Sequence, residues 1–224
     1  MQNDDRYVVS LRPISTPLPL TFSGLLIGSL ILSAYELHWI PRSEQAATGF
    51  MLLALPLPLH LVASVFGFLA RSAAAATGSA VLAAAWLAIA LDLVHPTSTG
   101  SGPSAAVGMM CAAAAVALVV PAVTEVAVGS FLPAVILTLA ALRFVATAVS
   151  GLAHQTAWAH VSGWAGIVVA AGAFYGALAL EIEGTTNHAV LPTLRRRSAK
   201  SAVSAPLQAQ LHELEHAPGV RRVL

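Results

Sequence analysis

Arg143 is the most expensive side chain in this sequence to place, because it falls inside a long apolar stretch. Setting an arginine at the centre of a bilayer costs at least about 2.5 kcal/mol on insertion scales, so such a residue faces a bundle interior, a watery cavity or a partner. Counted at about 1.5 Å per residue from the predicted inner end of its stretch near Gly129, it stands about 21 Å up, in the outer third. A guanidinium at that height either snorkels to the interface or makes an electropositive vestibule that concentrates carboxylate anions. Glu36 and Asp92 close two other apolar stretches on the same predicted side. Either is placed to neutralise Arg143, and an ion pair with at least one of them is expected.

His60 lies near the middle of another apolar stretch, two residues after Pro58 and four after Pro56. Each proline removes a helix hydrogen bond, and histidine changes charge near neutral pH. The residue therefore has two readings of equal weight, a proton-handling or anion-binding group in a pore and a buried neutral ring bonded to a freed carbonyl. His95, His154 and His160 fall near stretch ends and read as interfacial, with Trp39 and Trp158 as an aromatic belt. Cys111, the one cysteine, reads as packing, so neither a disulfide nor a paired-cysteine metal site is available. The metalloprotease, phosphate-loop and nucleophile-elbow patterns are absent, so no enzyme activity, cofactor or metal is expected.

The elements that hold these residues must be membrane helices. The chain of 224 residues is 57% hydrophobic and 9% charged, with a mean hydropathy of +0.79, whereas soluble domains carry roughly 25% charged residues. Lipid accepts that much apolar surface provided every backbone group is bonded within helices or a closed barrel. Strands of alternating polarity are absent, which excludes a barrel. Six stretches are long enough to span, roughly 20–40, 46–70, 72–94, 105–124, 129–152 and 157–180. The fold class is therefore an all-α integral membrane protein built as a six-transmembrane-helix bundle.

Orientation follows from Lys and Arg outside the spans. With the N-terminus inside, Arg6, Arg12, Arg71, Arg195, Arg196, Arg197 and Lys200 fall inside and only Arg42 outside, a bias of seven against one. Both termini are expected in the cytoplasm, and the protein in a plasma (inner) membrane. Residues 1–14 read as a cytoplasmic segment, 15–192 as the transmembrane domain and 193–224 as a basic, mostly disordered tail. The chain turns polar from about 184, and 206–216 form a short amphipathic helix at most. The basic run is read as resting on anionic lipid, and nucleic acid is not an expected partner.

Two pairs of glycines stand one turn apart, Gly24 with Gly28 and Gly172 with Gly176. Such pairs let helices approach closely, either within the chain or between subunits. Pro17 and Pro19 stand just before the first span, where a proline sacrifices no helix bond.

The segment Ser15-Thr16-Pro17-Leu18-Pro19-Leu20-Thr21-Phe22 resembles the Asn-Pro-Ala-Pro-Leu-Gly-Leu signature of the acetate uptake transporter family, the succinate-acetate permeases. Pro17, Pro19 and Leu20 match it, with Thr16 in place of Asn. Gly163-Trp164-Ala165-Gly166, Tyr175, Ala177 and Val190-Leu191-Pro192 resemble the closing pattern of the same family, so the resemblance covers residues 15–192.

The resemblance implies a homohexamer with one pore per subunit that passes acetate or another small monocarboxylate, with protons as the candidate coupling ion. It places a constricting ring at Leu25, Leu82 and Ala140, and it sets His60 and Gly67 where the family has Gln and Glu. The expected pathway comprises Thr16, Pro17, Pro19, Leu25, His60, Leu82, Ala140 and Arg143 beneath an outer vestibule at Glu36 and Asp92. Two rivals stay open. One is a urea or amide channel, which needs no cation in its path; the other is a relative that no longer transports and whose tail binds a partner.

Overall fold

The computed structural model describes residues 15–96, 102–186 and 190–196, and for Thr156 the backbone only. Seven α-helices carry it: α1 Leu18–Glu36, α2 Gln45–Ala54, α3 Pro56–Leu69, α4 Ala73–Val94, α5 Ala105–Val128, α6 Phe131–Ala153 and α7 Thr156–Thr186. Together they make six spans long and apolar enough to cross a membrane, because a short 3-10 turn, α2 and α3 share one span from Arg42 to Leu69. Pro56 divides that span. Leu55, the residue before it, stays in the right-handed region at φ −117° and ψ −73°, distorted from ideal helix where Pro56 has no amide to bond the Leu52 carbonyl. This all-α six-span bundle is the architecture that the apolar stretches predict.

Local chemistry explains where the other helices begin and end. Pro17 caps α1 and Pro19 sits in its first turn, where the amide that proline lacks would have no helix partner. Ser104 caps α5, its Oγ accepting from the Val107 amide at 3.3 Å. At the other end of α5, Gly129 takes φ +88°. The Ser130 amide there reaches back to the Glu125 carbonyl at 2.8 Å, a left-handed stop that glycine adopts without strain.

Successive spans run antiparallel. α1 packs on α3 and α7, α4 lies against α2, α3 and α5, and α6 is held between α5 and α7. The core is a continuous cluster in which Phe22, Trp86, Ile136 and Phe144 fill the gaps between alanine-rich faces of α4 and α6. Val116, Val119, Val120 and Val123 of α5 point outward, as do Val65, Phe66 and Phe68 of α3. In lipid those faces need no cover, and the helices are held by close packing and interhelical hydrogen bonds.

Two expectations change here. The last span runs to Thr186, about six residues beyond its expected end, and residues 190–196, expected at the start of a loose polar tail, are packed. Residues 190–196 fold back under the bundle: Pro192 accepts from the Tyr175 hydroxyl at 2.9 Å, Arg195 meets Glu183 at 2.7 Å, and the Arg196 amide donates to Gly129 at 2.9 Å. The physical reason is that Glu183, which looks like a span end in the sequence, finds its counter-ion in Arg195 of the returning segment rather than water. The N-terminal segment 1–14, the tail beyond 196 and the amphipathic stretch 206–216 lie outside the described residues.

Candidate functional site

The serines of α1 and its closing carboxylate share one face. Ser29, Ser33 and Glu36 follow each other at four and three residues, the spacing of a single helix stripe. α6 brings Arg143 against that stripe. Arg143 is 1% exposed. Its NH1 donates to Ser29 Oγ at 3.0 Å, its NH2 pairs with Glu36 Oε2 at 3.5 Å, and its guanidinium carbon stands 5.6 Å from the centre of the Trp86 ring.

The other oxygen of Glu36 accepts from Ser162 of α7 at 3.1 Å. With its proton committed there, Ser162 accepts in turn from Thr147 of α6 at 2.7 Å. The result is a polar cluster shared by α1, α6 and α7, with the carboxylate held by a cation and a hydroxyl. Snorkelling is thereby excluded for Arg143: its two terminal nitrogens are held inside the bundle by Ser29 and Glu36, and its Nε is buried with no partner among the described residues.

A cavity of about 400 Å³ opens at the Glu36 end, bounded by Leu32, Glu36, Arg42, Ile89, Asp92 and Thr147 among others. Glu36 and Asp92 thus both face it. Arg143 does not line it. Glu36 stands between Arg143 and the cavity, so the electropositive vestibule expected of Arg143 is replaced by a mouth carrying one cation, Arg42, and two carboxylates. Asp92 takes no part in the pair; it accepts from the Ser104 amide at 3.1 Å and steadies the entry to α5.

One turn toward the opposite end from Ser29, Trp86 and Arg143 come Leu25, Leu82 and Ala140. The three are buried in one apolar cluster. Because Ser29, Trp86 and Arg143 already form a layer by direct approach, helix register puts the three apolar residues in the layer beneath. Further along, Thr21 donates to the Pro17 carbonyl at 3.2 Å and stands 2.7 Å from the Ser79 hydroxyl. Pro17 is buried and Pro19 half-buried, while Thr16 is exposed at the end of α1 away from the cavity.

His60 is fully buried, and its Nδ1 lies 2.7 Å from the Pro56 carbonyl. That acceptor differs from the one expected. The carbonyls freed by Pro56 and Pro58 are those four residues earlier, at Leu52 and Ala54, whereas the ring reaches the carbonyl one turn back on its own helix.

The glycines settle inside the protomer. A Cβ on Gly24 would stand 2.7 Å from the His60 ring, one on Gly28 2.8 Å from Trp86, and one on Gly176 2.6 Å from Ile136. Gly172 is looser, with nothing nearer than 3.8 Å to an added Cβ. Gly24, Gly28 and Gly176 therefore serve packing within the chain, and the subunit-contact reading of those three is withdrawn, because another helix already occupies the space that each glycine opens.

No protein-family model and no curated protein sequence matches this chain. Among solved structures it superposes on the bacterial acetate channel SatP with a TM-score of 0.70 and 18% sequence identity, over 80% of this chain and 99% of that one. The chain has the fold of a bacterial acetate channel. With so little identity it is the order and packing of the six spans that the two share, which is what the motifs at residues 15–22 and 163–192 led one to expect. Ser29, Thr147, Ser162 and Trp86 were not singled out from the sequence. The first had a visible signal in the stripe with Glu36; the indole of Trp86 had none.

Proposed function

We propose that this protein is a multi-pass channel or carrier for acetate or a comparably small monocarboxylate. The single observation that carries the reading is the fold shared with the bacterial acetate channel. The arrangement beneath the cavity is consistent with it, since a polar layer at Ser29, Trp86 and Arg143 precedes an apolar layer at Leu25, Leu82 and Ala140. A permeating carboxylate would meet hydrogen-bonding groups before losing its water. Bare carboxylate desolvation is costly, so crossing the apolar layer calls for protonation or proton cotransport. The basic-residue asymmetry supports placement in an inner membrane with both termini cytoplasmic and the cavity facing out. The family resemblance supports a homohexamer with a pore in each subunit.

One observation favours a second reading. Arg143 is already matched by Glu36, which removes the net cation from the path and suits an uncharged solute such as urea or an amide. Uptake into proteoliposomes separates the two. Labelled acetate should accumulate under a gradient that is acid outside and fall when the gradient is collapsed, with urea excluded. Urea entry without acetate entry would reverse the assignment.

A further inference from the structure

Two fully buried polar atoms lack a hydrogen-bond partner among the described residues and stand near each other: His60 Nε2 and Trp86 Nε1. Their rings are 6.4 Å apart between centroids and tilted by 44°. Their hydrogen-bonding roles are opposite. A carbonyl can only accept, so the contact from His60 Nδ1 to Pro56 puts the ring proton on Nδ1 and leaves Nε2 an acceptor. The indole N–H can only donate. A buried donor and a buried acceptor left open side by side are each unfavourable, and both are answered by one small solute that carries an acceptor and a donor on the same carbon.

Their position is on the path described above. The Cβ positions of Gly24 and Gly28 point at His60 Cε1 and Trp86 Cε2, the carbons bonded to the two open nitrogens. The pair therefore straddles one turn of α1. Ile89 and Leu32 line the cavity; Trp86 and Gly28 are three and four residues further in, about one helical turn. Leu25 and Leu82 come at the next turn. Gly24 lies one residue beyond Leu25 in the same direction, so Trp86 stands on the cavity side of the apolar layer and His60 at its level.

We infer that His60 Nε2 and Trp86 Nε1 form a two-point site for an undissociated carboxylic acid, whose O–H donates to His60 while its carbonyl accepts from Trp86; the inference rests on the small-carboxylate reading. The ionised form does not fit. It offers acceptors only and would set a negative charge against the His60 lone pair, and the charge of the nearby Arg143 is already matched by Glu36, although its Nε is a further open donor. A primary amide presents the same donor and acceptor, so acid and amide must be told apart by experiment.

The full chain with Trp39, Trp158 and Trp164 changed to Phe keeps Trp86 as its sole indole, and in nanodiscs its emission reports on the site with His60 and Trp86 both intact. Titration with acetate at pH 5, 6 and 7 should shift the emission, with the half-saturating total acetate rising about tenfold per pH unit, as binding of the protonated fraction demands. Acetamide should shift it with no pH dependence. In proteoliposomes Trp86→Phe should raise the acetate concentration for half-maximal uptake about tenfold. An emission that acetate leaves unmoved, or a half-saturation independent of pH, would overturn the site. If uptake persists while Trp86 stays silent, the site falls and the transport reading stands; if Trp86 responds as described but no acetate enters the vesicles, the site stands and the transport reading falls.

Discussion

Arg143 and Glu36 lie 3.5 Å apart with side chains 2% and 11% exposed, whereas Arg195 and Glu183, at the opposite end of the bundle, lie 2.7 Å apart with side chains 23% and 9% exposed. The shorter pair is the less enclosed. Arg143 is tied to three helices through Ser29, Glu36 and, by way of Glu36, Ser162. Arg195 joins a returning segment to the end of α7. Distance alone therefore misleads about which pair matters. What decides is how many elements depend on the charge and how little water is left to replace the partner.

That contrast breaks first at Arg143. Arg143→Gln keeps a donor for Ser29 but strands Glu36, and breaking a buried pair typically costs about 3–5 kcal/mol. The purified protein should lose abundance and unfold well below wild type in a thermal assay, and adding Glu36→Gln should restore most of the loss. Equal stability of Arg143→Gln and wild type would mean that the pair is not what joins the three helices.

Next in size is the packing around that cluster. Gly28→Ala drives a methyl into Trp86, 2.8 Å from its ring, with Pro56 at 3.0 Å on the other side; overpacking of this kind costs about 1–3 kcal/mol. Gly172→Ala meets only ordinary contacts at 3.8 Å and beyond and gains about 1 kcal/mol of helix propensity. Opposite signs for the two substitutions in the same thermal assay are the expected outcome. Gly28→Ala should leave the particle mass unchanged, since Gly28 faces its own chain.

At the opposite end, Glu183→Gln should cost about 1 kcal/mol, with the difference from wild type shrinking in high salt because Arg195 remains partly solvated. A cost as large as that of Arg143→Gln, insensitive to salt, would erase the contrast between the two pairs. Smallest of all is Asp92→Asn. The amide oxygen can still accept from Ser104, so stability should move by less than about 0.5 kcal/mol, although the charge at the cavity mouth changes.

The six spans were legible because lipid makes hydropathy the dominant signal, and the break at Leu55 was legible because Pro56 cannot donate. The Arg143 pair was half legible. Depth along the helix put Glu36 and Asp92 at the right height, but height carries no information about rotation, and only the packing of α1 against α6 and α7 selects Glu36. Register likewise decides His60, whose acceptor is one turn back on its own helix and not at a freed carbonyl. Trp86 was invisible as a polar group, since an indole in an apolar run reads as core until a fold places its N–H beside an open acceptor. The end of α7 was missed because Glu181 and Glu183 resemble an exit from the membrane, and the counter-ion that keeps Glu183 in the packed structure lies beyond Pro192.

The central claim is that a small carboxylate crosses the apolar layer at Leu25, Leu82 and Ala140. The most direct test uses Ala140→Cys with Cys111→Ala, a modest change at a buried residue of the apolar layer. In proteoliposomes under a gradient that is acid outside, this variant should take up labelled acetate; modification by a small thiosulfonate should then stop uptake, and excess acetate should slow the modification. Uptake that continues unchanged after complete modification of Cys at position 140, or vesicles that admit no acetate before it, would contradict the account.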